Sequence, residues 1–378
     1  MTRMSFVKAG RLAAWLSAAL MIAGCASGPD KPKPRPLEPL TPQNVAGQAW
    51  TQRMTAVQFP LTVALARGAA AVGASDGTVL SVDMESGREL WRANVGTALS
   101  AGVGSDGRFA AIVTVGGELV TLDGGQVKWR KPIGTRVVTA PLVAGERIFV
   151  LGVDRTVQAF DALDGRKLWT LQRPGDPLTL AQAGVLSAFK DTLIVGQGPR
   201  MAGIDPLAGS VRWEVPIGSP RGANEVERLA DLVGPALRVG NALCARAFQA
   251  AVGCVDGDRG ALLWTRNVGG NDAVGGDREY LFGADATDRI SAWRKDSGDV
   301  AWTSDALLYR GLSAPAVQGG SVVFGDAEGI VHWLSRDKGE AQLRLMTDGS
   351  AIVAPPVIAG STLLVVTRSG GLFAFRAP

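Results

Sequence analysis

Apolar residues in this chain come in short runs rich in valine, leucine, isoleucine and phenylalanine, and each run is cut off by glycine or aspartate. Read upstream from Trp169, the order is RIFVLGVD, RT, VQAFDA and LDGRKLW. Short β-branched and aromatic blocks bounded by turn residues read as strands. The unit therefore predicts strand, tight turn, strand, glycine turn, and a strand that ends on the tryptophan. A further strand precedes each unit, marked by APLV at Pro141 and APAV at Pro315. No sustained 3.6-residue period appears in the mature chain, which excludes barrels and doubly wound folds that need amphipathic helices between strands.

The unit repeats. Tryptophan stands four residues after glycine at Trp91, Trp129, Trp169, Trp213, Trp264 and Trp302, and a seventh copy keeps Gly339 but has Leu343 in place of tryptophan. The spacings from Trp91 onward are 38, 40, 44, 51, 38 and 41. Such a period marks one supersecondary unit copied along the chain, and four strands per unit make one blade of a β-propeller. Asp83, Asp161, Asp205 and Asp256 lie eight residues before their tryptophans. Each is placed to accept backbone N–H groups of its turn, and the glycine that follows can take positive φ. The tryptophans are expected between blades, each burying roughly 150–250 Å². After Leu343 the chain supplies only three more strands, so the fourth must come from the segment around Trp50 to Val57. The expected fold is all-β: an eight-bladed propeller over residues 44–378, four antiparallel strands per blade, its ring closed by an N-terminal strand. Closure removes open sheet edges.

Residues 1–24 carry Arg3, Lys8 and Arg11, no acidic residue, and the apolar run LAAWLSAALMIAG before Cys25. That pattern is a secretory signal. Ile22-Ala23-Gly24-Cys25 is similar to a bacterial lipobox, which implies a cleaved signal peptide over 1–24 and a diacylated Cys25. Ala26 and Ser27 follow in place of the aspartate that retains such proteins at the inner membrane, so delivery to the outer membrane is expected. Residues 25–43 are proline-rich with alternating charge and read as an extended tether. Loss of the signal takes the net charge from +4 to about +1. Basic residues are otherwise scattered, so no nucleic-acid partner is expected.

Cys244 and Cys254 lie in ALCARAF and AVGCVDG, two strands of a hairpin centred near Gln249. They face each other at bridging distance. An oxidising compartment would permit a disulfide; the other reading is two buried thiols acting as small hydrophobes. His332 is the single histidine, in the strand GIVHW, and reads as a packed residue. No nucleophile elbow, zincin helix or phosphate loop is present. No catalytic, cofactor-binding or metal-binding residue is expected, and no cofactor.

The repeat A-x-D-x-x-x-G-x-x-x-W resembles the quinoprotein-type (PQQ-like) repeat. Dehydrogenases with that repeat usually carry two adjacent, bonded cysteines and a calcium site; this chain has no adjacent cysteine pair. Lipobox, tether and eight bare blades together are similar to the BamB family of lipoproteins. The likeness is most specific in SPRGANEVERLADL (219–232), and in LLYRGLSAPAV with VVFGDAEGIVHW. It implies a non-enzymatic scaffold of the outer-membrane β-barrel assembly (BAM) complex, lipid-anchored on the periplasmic face and docked on the POTRA domains of BamA. Unfolded outer-membrane proteins would be a second class of partner. The matching contact positions are Leu178 and Leu180 in DPLTLAQ and Asp231 in RLADL. Two positions depart from the family: its arginine after the second leucine is Ala181, and its second acidic residue is Val233. The contact would then be more apolar here, or carried by Arg228 and Glu227 instead. The competing reading is a periplasmic quinoprotein-like enzyme or small-molecule sensor that uses the central channel.

Overall fold

The computed structural model describes residues 32–43, 46–173, 178–220 and 222–376. Its strands form eight antiparallel sheets of four strands each. Seven take their strands in chain order. The first comprises Ala64–Ala66, Ala69–Gly73, Thr78–Asp83 and Glu89–Asn94, and the seventh Ala316–Gln318, Ser321–Gly325, Ile330–Ser335 and Ala341–Met346. The eighth joins Val357–Ala359, Thr362–Val366 and Gly371–Arg376 to the N-terminal strand Gly47–Arg53, with Trp50 opposite Ala374. This is the eight-bladed propeller that the repeat predicts. The closing strand ends sooner than expected: Val57 lies past it, buried in the core between the eighth and first blades.

Among the described residues, apolar clusters fill every interface between neighbouring blades. Leu80 of the first blade, for example, packs with Leu364 and Leu372 of the eighth. The middle strands are covered on both faces, and Phe109–Val113 is buried at every position. That is why the sequence shows continuous apolar runs there and not strict alternation.

The glycine–tryptophan spacing turns out to join different blades. Gly165 has φ +72°, and a Cβ on it would meet the ring of Trp129, from the preceding blade, at 2.7 Å. Gly209 stands in the same way against Trp169, Gly298 against Trp264, and Gly87 against Trp50 of the closing strand. The indole then bonds across: Trp129 Nε1 donates to the carbonyl of Ala162 at 2.9 Å, and Trp50 Nε1 to that of Met84 at 3.0 Å. Each glycine thus gives both the turn and the seat for its neighbour's tryptophan. This accounts for Leu343. Its neighbour, the eighth blade, takes its outer strand from the N-terminus and so has no glycine turn to receive an indole. The repeated aspartates do cap their turns, as in Asp205 Oδ1, which accepts from Leu207 N at 2.7 Å and Ala208 N at 3.0 Å.

Cys244 and Cys254 are paired in register, fully buried, and joined sulfur to sulfur in the core between the fifth and sixth blades. The predicted signal and Cys25 lie outside the described residues. The proline-rich segment is free of the blades over less of its length than expected. Residues 35–43 run along the seventh blade, where Leu37 packs against the apolar cluster that also holds Leu307 and Phe324.

Candidate docking site on the loop face

In an antiparallel four-strand blade, the turn between the second and third strands and the connection to the next blade emerge at the same end. That end is the loop face. Leu178 and Leu180 lie in the connection from the third blade to the fourth, and Asp231 in the connection from the fourth to the fifth. Arg155 lies in the turn between strands Arg147–Leu151 and Val157–Asp161 of the third blade. All four residues belong to this face.

The structure gives them different tasks. Leu178 is 37 % exposed. Leu180 is half-buried and packs on a small cluster of Val233, Ala273 and Ala314. Asp231 faces inward: its Oδ2 accepts the backbone N–H of Leu180 at 2.9 Å, and its Oδ1 accepts from Arg155 Nη2 at 3.4 Å. The two charged side chains are only 15 % and 17 % exposed. Asp231 therefore ties the leucine loop to its neighbours at Leu180, two residues from Leu178. Arg155 was not evident from sequence. It takes φ +64° in a tight turn, a conformation uncommon for a side chain of that size.

The two family departures have structural counterparts. Val233 is buried, pairs with Gly184 through an isolated bridge, and leads the apolar cluster under Leu180. Ala181 is exposed and brings no charge. Arg155 places a cation beside the loop where Ala181 brings none. Beside the pair is a pocket of about 50 Å³ lined by Val138, Leu151, Leu180 and Leu232.

Glu227 and Arg228 sit on the exposed part of the long insertion. The Glu227 carboxylate accepts the N–H of Ala223 at 2.7 Å, and its own N–H donates to Asn224 Oδ1 at 2.9 Å, which closes a short turn. Arg228 is exposed, its side chain without a partner among the described residues, and Val226 beside it is 68 % exposed. The insertion thus offers an apolar side chain and a free cation next to a carboxylate already used in its own turn.

The channel end of the ring holds a cavity of about 310 Å³ lined by Gln58, Gln182, Asp272 and Arg368 among apolar side chains. Among the described residues no group of three histidines, cysteines or acids could hold a metal ion. His332 does not reach the channel. It is buried in the seventh blade, with Nε2 2.9 Å from Asp326 Oδ2.

A family model described as "Outer membrane protein assembly factor BamB" matches residues 75–304. A protein of that name from Bordetella pertussis is 35 % identical over 380 residues, covering 98 % of this chain and 98 % of its own length. The crystal structure of BamB from Moraxella catarrhalis superposes with a TM-score of 0.79 at 21 % identity, covering 88 % of this chain and all of that one. Quinohemoprotein alcohol dehydrogenase from Comamonas testosteroni shares the fold at a TM-score of 0.63 and 14 % identity, covering 88 % of this chain and 76 % of that one. By the matched model and the near full-length relative, the chain belongs to the BamB family of outer membrane protein assembly factors.

Proposed function

We propose that this protein is a non-enzymatic scaffold of the outer-membrane β-barrel assembly complex, anchored through lipidated Cys25 to the periplasmic face of the outer membrane. Its loop face docks on the POTRA domains of BamA and helps position the machinery that receives unfolded β-barrel proteins. The observation that carries this reading is the Asp231 clamp, which holds the Leu180 backbone and the Arg155 guanidinium and so presents Leu178 at a fixed place. A preorganised apolar anchor suits docking, because a few well-placed side chains dominate the affinity of most interfaces. Leu178 and the exposed residues of the insertion, Val226 and Arg228, form the contact. Leu180, Asp231 and Arg155 position it, and Glu227 shapes the turn beside it.

The test is co-purification of the membrane-extracted, C-terminally tagged protein with a POTRA-bearing β-barrel protein in mild detergent. Recovery from wild type and its loss in Leu178→Asp, with an unchanged melting temperature, are expected. Equal recovery from both proteins would move the contact elsewhere. Absence of any such partner from wild type would reject the scaffold reading and turn attention to the channel cavity.

A further inference from the structure

The stretches LLYRGLSAPAV and VVFGDAEGIVHW lie in the connection into the seventh blade and in that blade, far along the ring from the leucine loop, and docking gives them no task. The structure does. Arg310 and Asp326 form an ion pair, Nε to Oδ2 at 2.8 Å, with side chains 3 % and 0 % exposed. Asp326 Oδ2 also accepts from His332 Nε2, while Oδ1 takes the N–H groups of Glu328 and Ile330 at 3.0 and 2.8 Å. Arg310 spends Nη2 on Glu328 and Nη1 on the carbonyl of Arg35, at 3.2 Å. Desolvating a guanidinium and a carboxylate costs several kcal/mol unless their donors and acceptors are filled. One of those partners is the N-terminal segment.

The segment is held along its length. Arg35 N donates to Leu308 O at 2.9 Å and Arg35 Nη1 to Asp305 O at 3.1 Å. Arg344 Nη1 donates to Glu38 O at 2.6 Å, and Gln43 N to Gln342 O at 2.8 Å. Pro34, Pro36, Pro39 and Pro42 restrict the backbone to extended forms. A three-residue polyproline turn would put Leu37 and Leu40 on one side, and these are the residues of 32–43 that are partly buried. The contacts begin on the loop face, at the connection that carries Leu308 and Arg310, and pass down the outer strand Ala341–Met346 to the start of the closing strand. Residues 35–43 thereby lie along the open edge of the seventh blade.

We propose that the seventh blade is a clasp for residues 35–43, and that it sets the length and direction of the membrane leash. This rests on the reading that Cys25 is the anchor. With the clasp shut, the chain between Cys25 and Arg35 is ten residues long, a contour of roughly 30 Å at about 3 Å per residue. With the clasp open it runs on to the closing strand and reaches about twice as far. The clasp also makes the leash arrive on the loop face, the face that carries Leu178, and so keeps the docking surface toward the membrane.

The experiment is hydrogen exchange on the full-length lipidated protein, wild type against Leu37→Ser/Leu40→Ser, which alters the strap and leaves the buried ion pair intact. The amides of Arg35 and Gln43 should exchange about tenfold or more faster in the variant, with the blade strands unchanged. Strap amides that exchange in wild type at the rate of a free peptide would overturn the clasp. A second arm reads the leash. Deletion of residues 27–32 should abolish recovery of the POTRA-bearing partner in the wild-type background and be tolerated when the strap substitutions release more chain. Equal tolerance in both backgrounds would overturn the role in leash length. The mass of the peptide that contains Cys25 separates the two readings: unmodified Cys25 with a protected strap would reject the anchor and leave the clasp standing.

Discussion

The outer rim and the loop face of this propeller are held by different means. On the rim one device recurs from blade to blade: a tryptophan lies under the glycine turn of the next blade, from Trp50 under Gly87 to Trp302 under Gly339. On the loop face the connections from the third blade to the seventh are pinned by buried charges that differ from one to the next. Arg155 with Asp231 secures the leucine loop. Arg246, wholly buried, donates Nε to the carbonyl of Asp272, Nη1 to Gly269 and Nη2 to Ala284, which fastens the fifth blade to the sixth. Arg310 with Asp326 holds the strap. Repetition closes the ring, and single charged residues give the loop face its individual shape.

The sharpest way to break this comparison is to remove one partner of the most buried pair. Asp326→Ala leaves Arg310 and His332 without their acceptor, and should cost about 3–5 kcal/mol in urea unfolding. On the rim, Gly209→Ala places a Cβ about 2.7 Å from Trp169 at φ +72°. Overpacking and the left-handed backbone together should cost about 2–3 kcal/mol by the same measurement. If the rim change proved the more damaging, the loop-face charges would be accessories and not fixtures.

Acid sharpens the contrast. Burial pushes the pKa of His332 below its usual 6.5, against the pull of Asp326. The unfolded chain then binds the extra proton first, so this part of the stability is present above pH 6.5 and is lost as the pH falls below it. Burial alone would raise the pKa of Asp326, but the bonds from His332, Ile330 N and Arg310 outweigh it and hold the group below 3.8, so a second loss begins as the pH falls through that value. Relative to His332→Gln, the wild-type melting temperature should fall more steeply as the pH drops below 6.5, while protonation of Asp272, whose pKa burial raises to about 6, works in the opposite sense in both proteins. The smallest effect on stability belongs to Arg155→Gly. It removes the ion pair with Asp231 and at the same time relaxes a turn at φ +64°. Unfolding should shift by under about 1 kcal/mol, while partner affinity falls several-fold because Leu178 loses its support.

The same contrast decides what could be read before the fold was known. The rim was legible because its device is periodic: the spacing of Gly165 and Trp169 gave the blade, and the absent tryptophan at Leu343 marked the last full copy. That each glycine serves the tryptophan one blade earlier was not visible, since a spacing within one blade cannot name a partner in another. The loop-face charges follow no period. Family likeness marks Asp231 as a contact position but not the direction of its carboxylate, which points inward because the acceptor of the Leu180 N–H is chosen by packing 51 residues apart. Arg155 carried no signal, being one arginine in an ordinary tight turn. The prolines of the strap are equally suited to a free leash and to a segment laid along a strand, so the sequence alone predicts a tether there.

In the proposed docking, the partner meets the loop face. The direct measurement is the affinity of the protein for a POTRA-bearing partner with one exposed leucine changed on each end of the propeller. Leu178→Ser alters the loop face, and Leu207→Ser alters a 65 % exposed leucine in a glycine turn at the opposite end. Affinity should fall by about tenfold or more with Leu178→Ser, as for loss of an interface anchor, and stay unchanged with Leu207→Ser. Loss with Leu207→Ser and none with Leu178→Ser would contradict the account and put the partner on the other face.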